Sequence, residues 1–147
     1  DMLLKIQKAL GDYLERQRSQ FARFYFVGDE DLLEMIGNSR DVMTVRRHLG
    51  KMFAGISMFL VAENMDVIEG VESREGEHVA YIRPVTISDD PAINAWLGRI
   101  ESEMQACLAE NLNLAVTEID IALAEDGQVD EVAFLGWVSK YPCQIGL

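Results

Sequence analysis

Glycine followed by lysine ends a phosphate-binding loop, which makes Gly50-Lys51 the first pair to weigh for chemistry. Such a loop needs a glycine five positions ahead of the pair, so that its amides converge on phosphate, and a hydroxyl after the lysine to hold magnesium. Val45 and Met52 occupy those places, so the pair reads as the end of a helix. Asp29-Glu30-Asp31 offers carboxylates to a divalent cation, but a calcium loop alternates its oxygen ligands around a central glycine, and Leu32-Leu33 interrupts that pattern. These acids read instead as the start of a short helix, with Asp29 as its cap and Glu30 and Asp31 favouring its dipole. His48 and His78 have no partner histidine four residues on and no associated cysteine, so spacing assembles neither a zinc site nor a catalytic dyad. Gly55-Ile56-Ser57 lacks the second glycine of a nucleophile elbow. Cys107 and Cys143 lie in separate segments and read as buried thiols. No catalytic residue, cofactor or metal is expected in this segment.

One polar cluster stands apart from these. Arg46, Arg47, His48 and Lys51 flank the apolar positions Val45 and Leu49 at helical spacing. A solvated helix face is the plain reading. A docking patch for an acidic partner surface is the sharper one, because arginine makes forked, charge-assisted bonds to carboxylates.

The elements that must position these residues follow from periodicity and composition. With 147 residues, 49% of them hydrophobic, the chain is long enough to bury one core or two small ones. Its formal charge of -12 argues against nucleic acid and anionic lipid as partners. Residues 1–52 hold 9 Lys and Arg against 8 Asp and Glu, and the remainder holds 4 against 17, so one end is near neutral and the other acidic. No apolar run reaches the roughly 18 residues of a membrane span and no secretory leader is visible, so the chain reads as cytosolic. A helical pattern is already running by Leu3, and the last residues, Cys143 to Leu147, stop on apolar side chains, so an internal piece of a longer protein is expected.

Leu3, Ile6, Leu10, Tyr13 and Leu14 predict an amphipathic helix to about Ser19. Phe21 to Val27, aromatic and β-branched, predicts a buried extended segment. A short helix capped by Asp29 closes at Gly37-Asn38, and another runs from a cap at Ser39 or Asp41 to Gly55. Ile56–Ala62, Val67–Val71 and His78–Ile82 predict a small antiparallel meander that must pack on flanking helices or on something outside the chain. Asp90-Pro91 predicts a helix start, with the proline at the first helical position, and the stripe from Ile93 through Trp96, Leu97, Ile100 and Met104 to Leu112 or beyond makes a long strut. Asp126-Gly127 predicts a turn, Asp130 a cap for a last helix bearing Phe134, Leu135 and Val138, and Tyr141-Pro142 its break. The expected architecture is mainly α, with helices and an extended segment over 1–55, a β-meander over 56–87 inserted between helices, and a long helix plus a truncated C-terminal helix over 88–147.

Two blocks carry a resemblance that periodicity does not supply. Lys5-Ile-Gln-Lys-Ala-Leu-Gly-Asp-Tyr-Leu-Glu-Arg16 and Arg23-Phe-Tyr-Phe-Val-Gly-Asp-Glu-Asp-Leu-Leu-Glu-Met-Ile-Gly-Asn-Ser39 resemble the linker region of dynein heavy chains, in wording closer to cytoplasmic than to axonal forms. Lys51–Gly55, Ser73–Glu77, Pro84–Ile87 and Ile93–Leu97 extend the likeness; Ala22 stands where many relatives have proline, and after Asn113 the likeness thins into the acidic Glu118–Glu131 region. The resemblance implies a helical-bundle rod segment without catalysis of its own, lying over the AAA+ ring of the same heavy chain and beside adjacent linker subdomains. It implies that ATP and magnesium act in that ring, that the parent protein binds microtubules and other dynein subunits in the cytoplasm, and that bending and straightening of the linker gives the power stroke.

Overall fold

The computed structural model describes residues 1–122 and 129–141. These form two compact units, Asp1–Glu103 and Met104 onward, with the boundary inside one long helix. Among the described residues the chain is mainly α with one three-stranded antiparallel sheet, as the sequence predicts. No helix there is long and apolar enough to cross a membrane.

The first unit opens with helix α1, Met2–Gln20, whose N-cap Asp1 accepts from the Leu3 amide. Phe21 to Val27 is not extended. Residues Ala22–Phe26 form a 3-10 helix, with the Phe24 amide bonded to the Phe21 carbonyl and the Val27 amide to Phe24. The reason is the period: Phe21, Phe24 and Val27 are buried and three residues apart, which is the repeat of a 3-10 turn, so tight winding puts all three on one face. Helix α2, Asp29–Gly37, starts from Gly28 rather than from Asp29; Asp29 lies in the first turn, and its carboxylate bonds Arg18 instead of a backbone amide.

The helix expected from Ser39 or Asp41 to Gly55 is two short ones. Helix α3, Val42–Arg46, is capped by Asp41, which accepts from the Met43 amide and the Thr44 hydroxyl. Helix α4, Leu49–Met52, follows after a break at His48, whose ψ of 0° takes the backbone out of the helical run and whose ring is bonded to Glu34 of α2. Strands β1 (Ile56–Val61), β2 (Val67–Ser73) and β3 (His78–Thr86) then pair antiparallel in sequential order. The third strand outruns its expected end at Ile82 and carries Pro84, which an edge strand tolerates because it leaves no ladder donor missing inside the sheet. Gly70 is required by close approach: a Cβ there would collide with the Val79 carbonyl oxygen on β3, where the pairing register shifts. Met65, in the β1–β2 turn, takes a left-handed φ of 56°.

Helix α5, Ile93–Ala122, begins two residues later than Asp90-Pro91 implies; Asp90 still caps locally, accepting from the Ala92 amide. Within the first unit Ile93, Trp96, Leu97 and Ile100 join Leu14, Phe24, Leu32, Met35, Leu49, Met52, Phe59 and Ile68 in the buried core. In the second unit helix α6, Glu131–Lys140, is capped by Asp130, which accepts from the amides of Val132 and Ala133. Trp137 of α6 donates to the Ala115 carbonyl, and Lys140 pairs with Glu118 at 2.7 Å. Cys107 is a buried thiol, as expected. The turn at Asp126-Gly127, Pro142 and Cys143 lie outside the described residues.

Candidate functional site

The four basic residues singled out in the sequence do not share one face or one role. The break at His48 directs them differently, and acids of α2 claim three of them. Arg47 Nη2 lies 2.9 Å from Glu34 Oε1 and 3.2 Å from the Thr44 hydroxyl. His48 Nε2 lies 2.8 Å from Glu34 Oε2, and Lys51 Nζ lies 2.5 Å from Asp31 Oδ2. Arg46 instead places Nη2 3.6 Å from Met58 Sδ on β1. The sequence shows no such pairing, because Asp31 and Glu34 are 13 to 20 residues from their partners and become neighbours only when α2 packs beside α3 and α4.

Electrostatically the cluster is an interlocked set of opposite charges. Asp31 titrates below the ordinary carboxylate range, first because Lys51 donates to it, against the opposing cost of burial, with the Lys51 and His48 charges adding to the lowering. Asp41 is lowered too, by the Thr44 hydroxyl first and then by the Met43 and Thr44 amides and the Arg47 charge. One donor atom from each of Asp31, Glu34 and His48 lies within 4.8 Å of the others.

The functional polar residues that sequence reasoning missed are those that fasten elements together. Arg23, in the 3-10 turn, bonds Glu101 of α5 through Nε at 2.8 Å and the Met52 carbonyl of α4 through Nη1 at 2.9 Å, while its guanidinium sits 4.5 Å from the Phe53 ring centroid. Trp96 of α5 donates from Nε1 to the Ser39 carbonyl at 3.0 Å and meets Phe59 of β1 edge to face. Arg18 of α1 reaches the Val27 carbonyl and the Asp29 carboxylate. Asp66 accepts from the amide and hydroxyl of Ser88, and its own carbonyl accepts from the Ile87 amide, so the β1–β2 turn is tied to the chain leaving β3. Arg23 inside an aromatic run and Trp96 inside an apolar stripe were the available signal.

In these geometries polar side chains fasten helices, turns and strands to one another. Comparison with known proteins gives its family. Residues 1–115 match the family model described as dynein heavy chain, N-terminal region 2. The chain is 50% identical over 145 residues to "Dynein heavy chain, cytoplasmic" of Drosophila melanogaster, 45% over 150 residues to the protein of that description in Dictyostelium discoideum, and 48% over 147 residues to "Dynein heavy chain-like protein 1" of Plasmodium falciparum. Each alignment takes in 99% or more of this chain and 3% of the relative, so the chain spans a small fraction of the length of the curated relatives it matches. The chain belongs to the dynein heavy chain N-terminal region 2 family. Similarity to these relatives also continues through the acidic stretch after Asn113, beyond the end of the family match.

Proposed function

We propose that this chain is a mechanical segment of the linker of a cytoplasmic dynein heavy chain, a lever without catalysis of its own that bends and straightens over the AAA+ ring to deliver the power stroke of a minus-end-directed microtubule motor. The observation that carries this reading is the match of residues 1–115 to dynein heavy chain N-terminal region 2, over a span in which Arg23 and Trp96 fasten elements to one another. A lever needs parts that move without deforming, and close-packed cores pinned by side-chain ties resist deformation. In this reading the partners are the ring of the same heavy chain and adjacent linker subdomains. The parent protein supplies ATP and magnesium binding in the ring, microtubule binding and the other dynein subunits, in the cytoplasm.

The docking role for Arg46, Arg47, His48 and Lys51 belongs to the same proposal in a narrower form. Three of the four are already bonded to Asp31 and Glu34, so an acidic partner surface would meet Arg46 first and would have to compete for the others. The test of the lever is a motor-competent heavy chain carrying Arg23→Ala together with Glu101→Ala. ATP turnover is expected to persist while microtubule gliding slows; a heavy chain whose gliding is unchanged, or an isolated 147-residue chain that hydrolyses ATP, contradicts it.

A further inference from the structure

Asp31 and Glu34 stand three residues apart on α2 and so face the same way, and His48 enters between them from the break separating α3 and α4. The His48 side chain is only 9% exposed, and its Nδ1 is a buried nitrogen with no hydrogen-bond partner. The carboxylate oxygen Asp31 Oδ1 is 3.6 Å away, beyond the roughly 2.7–3.2 Å of a hydrogen bond to nitrogen. Glu34 Oε2, at 2.8 Å, holds the other nitrogen, Nε2. In the neutral ring that bond fixes the proton on Nε2 and turns the Nδ1 lone pair toward a carboxylate oxygen, so two acceptors confront each other. A cation between them turns this repulsion into coordination. With metal–ligand bonds of about 2.0–2.1 Å, two donors 3.6 Å apart subtend about 120° at the ion, close to the angles of a tetrahedral centre.

We propose that Asp31, Glu34 and His48 form a binding site for a divalent first-row transition ion of the Zn2+ class, with His48 Nδ1 and Asp31 Oδ1 as ligands and Glu34 orienting the ring through Nε2. A carboxylate that holds the far nitrogen of a metal-binding histidine fixes its tautomer and raises its basicity. An imidazole ligand selects against Mg2+ and Ca2+, which prefer all-oxygen shells. Lys51 and Arg47 stand against the same two carboxylates, each on the oxygen turned away from the ring, Asp31 Oδ2 and Glu34 Oε1. Their charges oppose the ion and keep the site weak. A bound ion would staple α2 to the α3–α4 break, which no backbone ladder does. The site concerns residues of this chain alone and does not depend on the lever reading.

The test titrates the chain with Co2+, read by its visible absorption, and with Zn2+ and Mg2+, read by calorimetry. One equivalent of Co2+ or Zn2+ is expected to bind, with Mg2+ silent and without the sulfur-to-cobalt band that would betray Cys107 or Cys143. His48→Gln, and Asp31→Asn at a half-exposed position that keeps the fold, are each expected to weaken Zn2+ at least about tenfold, as loss of a ligand does. Lys51→Met is expected to tighten it, and His78→Gln, which removes the exposed His78–Glu72 pair, to leave it unchanged. Absence of binding, equal binding of Mg2+, affinity insensitive to both His48→Gln and Asp31→Asn, or affinity lost with His78→Gln overturns the proposal.

Discussion

Helices α1 and α5 carry the same signal in the sequence and meet opposite fates. Leu3, Ile6 and Leu10 recur at helical spacing just as Ile93, Trp96, Leu97 and Ile100 do. Yet Leu3, Ile6 and Leu10 are 62%, 54% and 41% exposed, whereas Trp96, Leu97 and Ile100 are at 0%. Only from Leu14 onward does α1 join a core. Periodicity therefore reports that a face is built to be covered, not that this stretch of chain covers it. The chain spans 3% of the length of such a relative, and a contiguous exposed apolar stripe of this kind is the surface that interaction sites use.

The sharpest way to break this comparison is to truncate both stripes. Trp96→Ala is expected to destabilise the chain by about 3–5 kcal/mol, through the cavity it leaves and the Ser39 carbonyl it orphans, while Ile6→Ala stays within about 0.5 kcal/mol, both read by urea denaturation. Equal losses at the two positions would mean that α1 is covered after all. Gly70→Ala, next in size, is expected to cost about 1–3 kcal/mol or unpair β2 from β3, because its new methyl meets backbone that cannot move aside. Retained amide protection in β3 of that variant would contradict the close approach.

Arg23→Ala sharpens the contrast at smaller scale. With both partners of the Arg23–Glu101 pair about a third exposed, solvent screening limits the loss to roughly 1–2 kcal/mol, read by thermal unfolding. The smallest effect is the pH response. Asp41 has a folded-state affinity for protons lower than in the unfolded chain, so its contribution is fully present above the ordinary carboxylate range near pH 4 and fades as pH falls through the lower folded value. Asp41→Asn keeps a capping side chain and removes the charge, so it is expected to lower stability in the neutral region by that contribution, leave the most acidic region nearly unchanged and so flatten the acid limb of the stability profile. An unaltered acid limb would reject that assignment.

The helices and the meander were legible because their periods, caps and turn residues are local. Asp41, Asp130 and the Gly37-Asn38 ending are read within a few residues of where they act. What was not legible is what tertiary packing decides. The 3-10 winding of Phe21 to Val27 depends on all three buried side chains sharing one face, and aromatic, β-branched composition suits a strand equally well. The split at His48 depends on an acid 14 residues away. Spacing along one unbroken helix groups Arg46, Arg47, His48 and Lys51 and carries no sign of their pairing with α2. Arg23, the most connected of the ties, was visible only as part of a family-like block; its partner Glu101 is 78 residues distant.

In the proposed lever the packed part of the first unit behaves as one rigid piece while the motor works. Labels on two exposed positions within it, Glu30 on α2 and Glu75 in the β2–β3 turn, and a third on the ring of an intact heavy chain, would report this in nucleotide-free and ATP-bound states. A constant distance between Glu30 and Glu75, together with a changed distance from either to the ring, is the expected result. A change between Glu30 and Glu75, or no displacement relative to the ring, would contradict it.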